Sequence, residues 1–463
     1  MRISVVLRYV GFVVLLSSAF LFISFIVSIF YGGNAEFELL FCALIAFILG
    51  LFPMIFVPPA ETLKSREGLF IVVISWVLTC IIGAVPYILY GGEFNLANAV
   101  FESISGFTTT GASILNNVEG LPAGLMFWRS STHWIGGMGI VLFILVIMPN
   151  MGKTTMVLYN SEMSSLAKEN FNFRTKTALK VLLLVYVGLT TLEVIFLMFF
   201  GMNWFDAVNH SFATIATGGF STKNLSIAHF NSIPIEITIM VFMFLSGIHF
   251  GLLFTTLIFK KFNLFRSEVV RYYFIISLIG ILVISLDLLG SHYQSFWTAV
   301  RYASFQLLSL STTTGFATVD TANWPYFSQI LLLFFTMQCA CAGSTAGGIK
   351  IDRVLLFWKT LFRHVRKSNH NNAVLFVKLD KKVIDEDVIS NSLMYIIIYV
   401  VVVFFSAACV SAMGIDLMTS ISGAAATMGN VGPGFGGVST LGNFSALPDA
   451  VKDIFSADML LGR

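Results

Sequence analysis

The stretch FESISGFTTTGASIL, Phe101 to Leu115, interrupts a chain built otherwise from Leu, Ile, Val and Phe. It holds three threonines and two glycines, with no charge after Glu102. Three further stretches share its texture: HSFATIATGGFSTKN (210–224), SFQLLSLSTTTGFATVD (304–320) and SISGAAATMGNVGPGFGG (420–437). Aligning their central glycines gives Gly111, Gly219, Gly315 and Gly429, at intervals of 108, 96 and 114 residues. A period of this kind marks an internally repeated architecture. Each unit reads as a span, a short apolar segment too short to cross (95–107 and 295–311 are examples), the Thr/Gly turn, and a second span.

The surroundings say what medium the repeats occupy. Of 463 residues, 57% are hydrophobic and only 11% charged, against about 25% charged in soluble domains. The chain therefore reads as an all-α polytopic membrane protein. Its net charge of +3 supplies no basic surface for nucleic acid. Five cysteines, Cys42, Cys80, Cys339, Cys341 and Cys409, all lie in apolar segments without C-x-x-C spacing, and read as packing residues.

Apolar runs of about the 20 residues a bilayer requires lie at 10–30, 37–57, 69–91, 125–148, 179–201, 233–259, 270–290, 326–349 and 391–413. The first lacks a small-residue cleavage pattern and is expected to be retained as a span. Backbone in lipid must satisfy its own hydrogen bonds, so these runs are helices. Twenty-two of 27 Lys and Arg fall in one alternating set of segments. That set is therefore cytoplasmic, the N-terminus with it. All four Thr/Gly turns fall on the other side.

Irregular backbone at membrane depth is tolerated only inside protein or beside a watery cavity. Four re-entrant turns from one chain can surround a single axis. Glycine allows the positive φ that aims successive carbonyls inward, and threonine adds oxygens without charge. Such a ring replaces the water shell of a monovalent cation. Each short helix also directs its partially negative C-terminal end at the ring. Helix-packing motifs explain one such turn well, but not four in register.

The four turns, with CAGSTAGGIKIDR at 341–353, resemble the Trk/Ktr/HKT superfamily of potassium transporters across nearly the whole chain. Two spans ahead of the first repeat make it similar to the bacterial Trk-type membrane subunits, the TrkH family. The resemblance implies four pseudo-symmetric membrane–pore–membrane repeats around one ion pore, preceded by two extra transmembrane helices. The boundaries are then 1–60 for the extra pair, and 61–152, 153–265, 266–385 and 386–463 for the repeats. It also implies a filter at Thr110, Gly111, Gly218, Gly219, Thr314, Gly315, Gly429 and Asn430. Serine at the first filter glycine accompanies sodium preference in the superfamily, so glycine at all four implies K⁺. A gate loop under the filter is implied at Gly343, Ser344, Thr345, Ala346, Gly347 and Gly348, within 342–348, joined by Arg463 from the fourth repeat. Small, helix-breaking residues suit a bend there. The final helix, which runs to Leu460-Leu461-Gly462-Arg463, is expected to be incomplete. The implied setting is a homodimer in the cell inner membrane, K⁺ as the transported ion with no cofactor in this chain. A TrkA-like cytosolic nucleotide-binding regulator is the implied partner, docking on the basic loop 350–390 with help from 153–180.

Other readings are weaker. Gly343 to Lys350 lacks the G-x-x-x-x-G-K-[ST] order of a phosphate loop. His133, His210 and His249 have no ligand spacing. Glu102 and Asp206 are expected to compensate pore-helix N-termini, while Glu193 and Asp416 are further carboxylates in or near the membrane. A cation symporter coupled to H⁺ or Na⁺ would require a midplane carboxylate at a broken helix. A polytopic enzyme would require convergent acid, base or metal residues, where the repeats offer hydroxyls and glycines.

Overall fold

The computed structural model describes residues 2–58, 63–139, 175–259, 263–369, 375–380 and 382–463. Long apolar segments become long helices: α1 (Ile3–Tyr31), α2 (Glu36–Phe56) and α3 (Ser65–Tyr90). α1 and α2 pack as an antiparallel pair, tied where Ser18 Oγ donates to Ala43 O at 2.8 Å. α3 begins with Glu67 accepting from the Lys64 N–H and pairing with Arg2 at 2.8 Å, so α1 and α3 start side by side. Phe30, Phe37 and Phe404 are 82%, 73% and 74% exposed. Bare aromatic surface on this scale is stable only against lipid tails. The polar residues lie inside, where Ser103, Ser105, Thr108, Thr109 and Thr110 are all fully buried.

The first unit continues with the short pore helix α4 (Leu96–Phe107) and with α5 (Ala123–Gly137). The second has α6 (Thr175–Phe199), pore helix α7 (Trp204–Ile215), then α8 (Ile233–Ser246) and α9 (Phe250–Phe259). After the short α10 (Asn263–Arg266), the third has α11 (Glu268–Leu288), pore helix α12 (Phe296–Ser311), α13 (Tyr326–Met337) and α14 (Ile351–Asn369). The fourth has α15 (Glu386–Ala412), pore helix α16 (Leu417–Met428) and α17 (Asp449–Gly462). Two ladders of two-residue strands are the only extended pairings among the described residues besides one isolated bridge: β1 (Gln338–Cys339) with β2 (Ile349–Lys350), and β3 (Lys378–Leu379) with β4 (Lys382–Val383).

Three of the pore helices start on side-chain caps. Asn95 accepts from the Asn98 N–H, Asn203 from that of Asp206, and Asp416 from that of Thr419. Such a cap satisfies an N–H the helix cannot. The Thr419 backbone N–H, with its hydroxyl, holds the exposed Asp416 carboxyl below the ordinary carboxylate range.

Six described helices are long and apolar enough to cross a membrane, or seven if a bent pair counts as one. That pair is α8 and α9, which meet at 104° across Gly247 to His249. The sequence expectation of one straight span over 233–259 is corrected here. The apolar run is continuous, but the backbone turns within it. The run at 326–349 is not one helix either: α13 stops at Met337. The run at 125–148 is described only to 139.

Candidate functional site

Each pore helix ends in the same turn. The C-cap residues Thr108, Ala216, Thr312 and Gly429 are all right-handed. The next residues, Thr109, Thr217, Thr313 and Asn430, are left-handed, with φ of 55°, 55°, 60° and 52°. Their N–H groups bond the carbonyl three residues back, and the following N–H bonds the carbonyl five back, at 2.8–3.1 Å in all four turns. This is the hydrogen-bond pattern of a Schellman cap. Asparagine accepts left-handed backbone readily, but three β-branched threonines there are outliers. Strain of this kind persists only where surrounding structure over-determines it.

Two residues further on stand Gly111, Gly219, Gly315 and Gly432, with φ of 80°, 79°, 79° and 96°. A Cβ on Gly111 would sit 2.0 Å from Gly218 O, and one on Gly219 would sit 1.9 Å from Thr314 O. On Gly315 it would sit 2.1 Å from Val431 O, and on Gly432 2.5 Å from Thr110 O. Each glycine thus backs onto a carbonyl of the next turn, and the fourth returns to the first. The chain closes a ring of Thr110, Gly218, Thr314 and Val431 carbonyls that only glycine can flank. The four glycines face a cavity of about 210 Å³, lined also by Ser113, Asn116 and Lys223.

The expected residues Thr110, Gly111, Gly218, Gly219, Thr314 and Gly315 come together in this ring. The fourth turn is three residues out of register with the sequence alignment. Gly429, with φ of −77°, is a helix C-cap equivalent to Thr108. Asn430 matches Thr109, so the equivalents of Thr110 and Gly111 are Val431 and Gly432. Gly432 alone in that stretch combines positive φ with the approach to Thr110 O.

Behind the ring, charges act as struts. Arg129 on α5 and Glu102 on α4 form an ion pair at 2.6 Å with both side chains buried. Glu102 also accepts from Ser113 Oγ and the Ile114 N–H, each at 3.0 Å. Arg129 donates to Ser221 O at 3.0 Å and lies 3.5 Å over the Phe220 ring. The pair therefore fixes the ascending limbs of the first and second turns. Compensation of a helix N-terminus does not describe Glu102, which lies past the middle of its helix. It does describe Asp206, in the first turn of α7 and bonded by Asn203 Nδ2 at 2.7 Å. His133 bridges the same two turns: its Nε2 accepts the Phe220 N–H at 3.2 Å and its Nδ1 bonds Gly106 O at 2.7 Å. Breaking a buried pair of this kind typically costs about 3–5 kcal/mol. No group of three or more His, Cys, Asp or Glu suited to a metal occurs among the described residues.

Under the ring, the segment between β1 and β2 replaces the helix that 326–349 would otherwise form. Thr345 Oγ1 donates to Ile215 O at 3.0 Å, at the end of α7. The Gly347 N–H donates to Thr313 Oγ1 at 3.1 Å. A Cβ on Gly347 would lie 2.6 Å from Gly429 O, and one on Gly343 2.4 Å from the His249 ring. Gly348 has φ of 62°, and Ser344 Oγ donates to Cys341 O at 2.7 Å. Arg463 donates to Thr345 O and Gly136 O, both at 2.8 Å. Of the expected gate residues, Thr345 and Gly347 thus meet the turns of the second, third and fourth units, and Arg463 joins Thr345 to Gly136 on α5 of the first. The α8–α9 bend, which sequence reasoning missed, joins them: Cys341 N–H donates to Gly247 O at 3.0 Å and Phe250 N–H to Gly343 O at 3.3 Å. The paired glycines of GIHFG, 247–251, are the signal that was there to read.

The family model for TrkH, cation transport protein, matches residues 42–463. The chain is 36% identical to the Trk system potassium uptake protein TrkH of Escherichia coli K12, over all of this chain and 96% of that one. It is 31% identical to that organism's TrkG, again over all of this chain and 96% of the relative. The crystal structure of the potassium transporter TrkH from Vibrio parahaemolyticus superposes with a TM-score of 0.89 at 30% identity, covering all of this chain and 96% of that one. With the fold and family in agreement, the chain belongs to the TrkH family of cation transport proteins.

Proposed function

We propose that this protein conducts K⁺ into the cell through the ring of Thr110, Gly218, Thr314 and Val431 carbonyls, with Gly111, Gly219, Gly315 and Gly432 as its spacers. The observation that carries this reading is the cyclic closure, in which each glycine meets the next turn's carbonyl. Uncharged oxygens arranged in a ring replace the hydration of a monovalent cation. Four pore helices also end at the ring with their partially negative termini. The relatives' names, Trk system potassium uptake proteins, support K⁺ as the ion. The membrane potential would supply about 2.3 kcal/mol per charge per 100 mV.

The segment 342–348 acts as the gate, with Arg463 bracing it from the fourth unit. The units divide at 61–152, 153–265, 266–385 and 386–463 behind the pair at 1–60. The protein works as an inner-membrane homodimer with its N-terminus in the cytoplasm. A nucleotide-binding regulator of the TrkA type docks on 350–390, where Arg363 and Arg366 line a cavity of about 310 Å³ beside Phe362 and Phe376. Part of the expected second contact, 153–180, lies outside the described residues up to 174.

The deciding measurement is Rb⁺ uptake by protein in liposomes, with an imposed potential and with or without a pH gradient. Uptake that follows the potential and ignores the pH gradient is expected. Accumulation driven by the pH gradient alone would replace the channel-like reading with a symporter.

A further inference from the structure

The gate segment leaves two neighbouring carbonyls, Thr345 O and Ala346 O, at its crest, and both are taken by cations. Arg463 Nη1 donates to Thr345 O at 2.8 Å. Lys350 Nζ, from the strand that closes the same segment, donates to Ala346 O. The base is fixed as well: Asp352, 1% exposed, accepts the Ala342 N–H at 2.6 Å, and the Ile351 N–H donates to Ala340 O at 3.1 Å. The neighbouring Arg353 is engaged elsewhere, 3.7 Å over the Tyr395 ring.

We propose that Lys350 and Asp352 are a latch built into the gate segment, holding it shut against the underside of the ring. This rests on reading 342–348 as the gate. A carbonyl near the pore axis is a ligand that a dehydrating K⁺ can take. Here a tethered ammonium takes it first, and a second cation from the fourth unit takes its neighbour. The segment therefore presents occupied oxygens to an arriving ion, and its crest cannot swing aside until Lys350 lets go. Asp352 pins Ala342 at the start of the segment, so the latch tightens a short, closed loop. Lys350 is a positioning residue in this account, since it acts on the ion through the backbone it holds.

The test uses full-length protein in liposomes and Rb⁺ uptake at fixed potential, compared across Lys350→Met, Lys350→Arg, Asp352→Asn, deletion of 343–347, and Lys350→Met within that deletion. A charge-assisted hydrogen bond lost from the closed state shifts the closed-to-open ratio by on the order of tenfold. Lys350→Met should raise uptake accordingly, Lys350→Arg should stay near the parent, and Asp352→Asn should move in the same direction as Lys350→Met. The deletion should raise uptake too, and Lys350→Met should add nothing to it. Parental uptake for well-inserted Lys350→Met and Asp352→Asn, with the deletion still active, overturns the latch and leaves the gate standing. An equal gain from Lys350→Met with and without the segment also overturns it, assigning Lys350 to charge repulsion along the pore. A deletion that fails to raise uptake overturns the gate and the latch with it.

Discussion

Across the ring, the first and third turns are near copies, whereas the second and fourth are not. Thr108–Gly111 and Thr312–Gly315 both read Thr-Thr-Thr-Gly, and in each the first and third hydroxyls bond at 2.8 Å. The second turn, Ala216-Thr217-Gly218-Gly219, has no such pair, and a Cβ on Gly218 would strike the His133 ring at 2.5 Å. The fourth, Gly429-Asn430-Val431-Gly432, uses an amide instead: Asn430 Nδ2 donates to Thr110 Oγ1 at 3.0 Å and Met459 O at 2.9 Å. Because each turn meets its successor, like turns face each other. The backbone of all four is nonetheless the same. What the four turns share is a pair of left-handed residues two apart, the second of them glycine. Hydroxyl content varies freely around that requirement.

The strongest way to break this comparison is at the glycines. Gly432→Ala places a Cβ 2.5 Å from Thr110 O on left-handed backbone. Strain of about 1–3 kcal/mol, added to that clash, should lower Rb⁺ uptake about tenfold or more. Gly429→Ala, on right-handed backbone and with the nearest contacts of its added Cβ at 2.9 Å from Ala425 O and 3.0 Å from Thr336 O, should lose clearly less. Equal losses from both would dissolve the three-residue shift in register. Gly111→Ser tests the same contact in the first turn, where the added Cβ would lie 2.0 Å from Gly218 O. Opening that quadrant should raise Na⁺ uptake relative to Rb⁺. A ratio equal to the parent's would remove Gly111 from the filter.

How much of this was legible depends on whether side-chain chemistry or backbone conformation carried the signal. The pore segments 95–107 and 295–311 stood out because polarity broke suddenly in an apolar chain, and helices fill 96–107 and 296–311. The fourth turn misled because glycines recur at 429, 432, 434, 436 and 437. Composition does not say which of them is left-handed. The α8–α9 bend hid in an unbroken apolar run, since hydropathy reports lipid exposure and not direction. The Glu102–Arg129 strut joins residues 27 apart through packing of α4 on α5. Its only trace in sequence was one isolated charge of each sign in apolar segments.

Asn430 sharpens the comparison at intermediate size. Asn430→Gly keeps the left-handed backbone and deletes both amide bonds, leaving the Met459 carbonyl short of a donor. Each lost bond is worth about 0.5–1.5 kcal/mol, so thermal unfolding in detergent should shift down by a few degrees. The same change at Thr109, whose buried hydroxyl has no hydrogen-bond partner, should not destabilise at all. A destabilisation at Thr109 equal to that at Asn430 would mean the turns are held by something other than these bonds.

The smallest effects come from replacing the three left-handed threonines one at a time by valine, which preserves shape and strain and removes only a hydroxyl. Their hydroxyls have three different uses. Thr109 Oγ1 is buried and unpartnered. Thr217 Oγ1 donates to the adjacent Ala216 O at 2.6 Å. Thr313 Oγ1 accepts the Gly347 N–H at 3.1 Å from segment 342–348. Thr109→Val relieves an unsatisfied polar group and should leave stability unchanged or slightly raised. Thr217→Val should cost about 1 kcal/mol, the worth of one ordinary hydrogen bond. On the proposed gating, Thr313→Val should cost a similar amount only in the closed state, because its partner lies on the segment proposed to move. It alone should therefore raise Rb⁺ uptake, by up to about fivefold for a bond of that strength. Three valine variants with equal uptake would show that the ring and the segment beneath it are not coupled through Thr313.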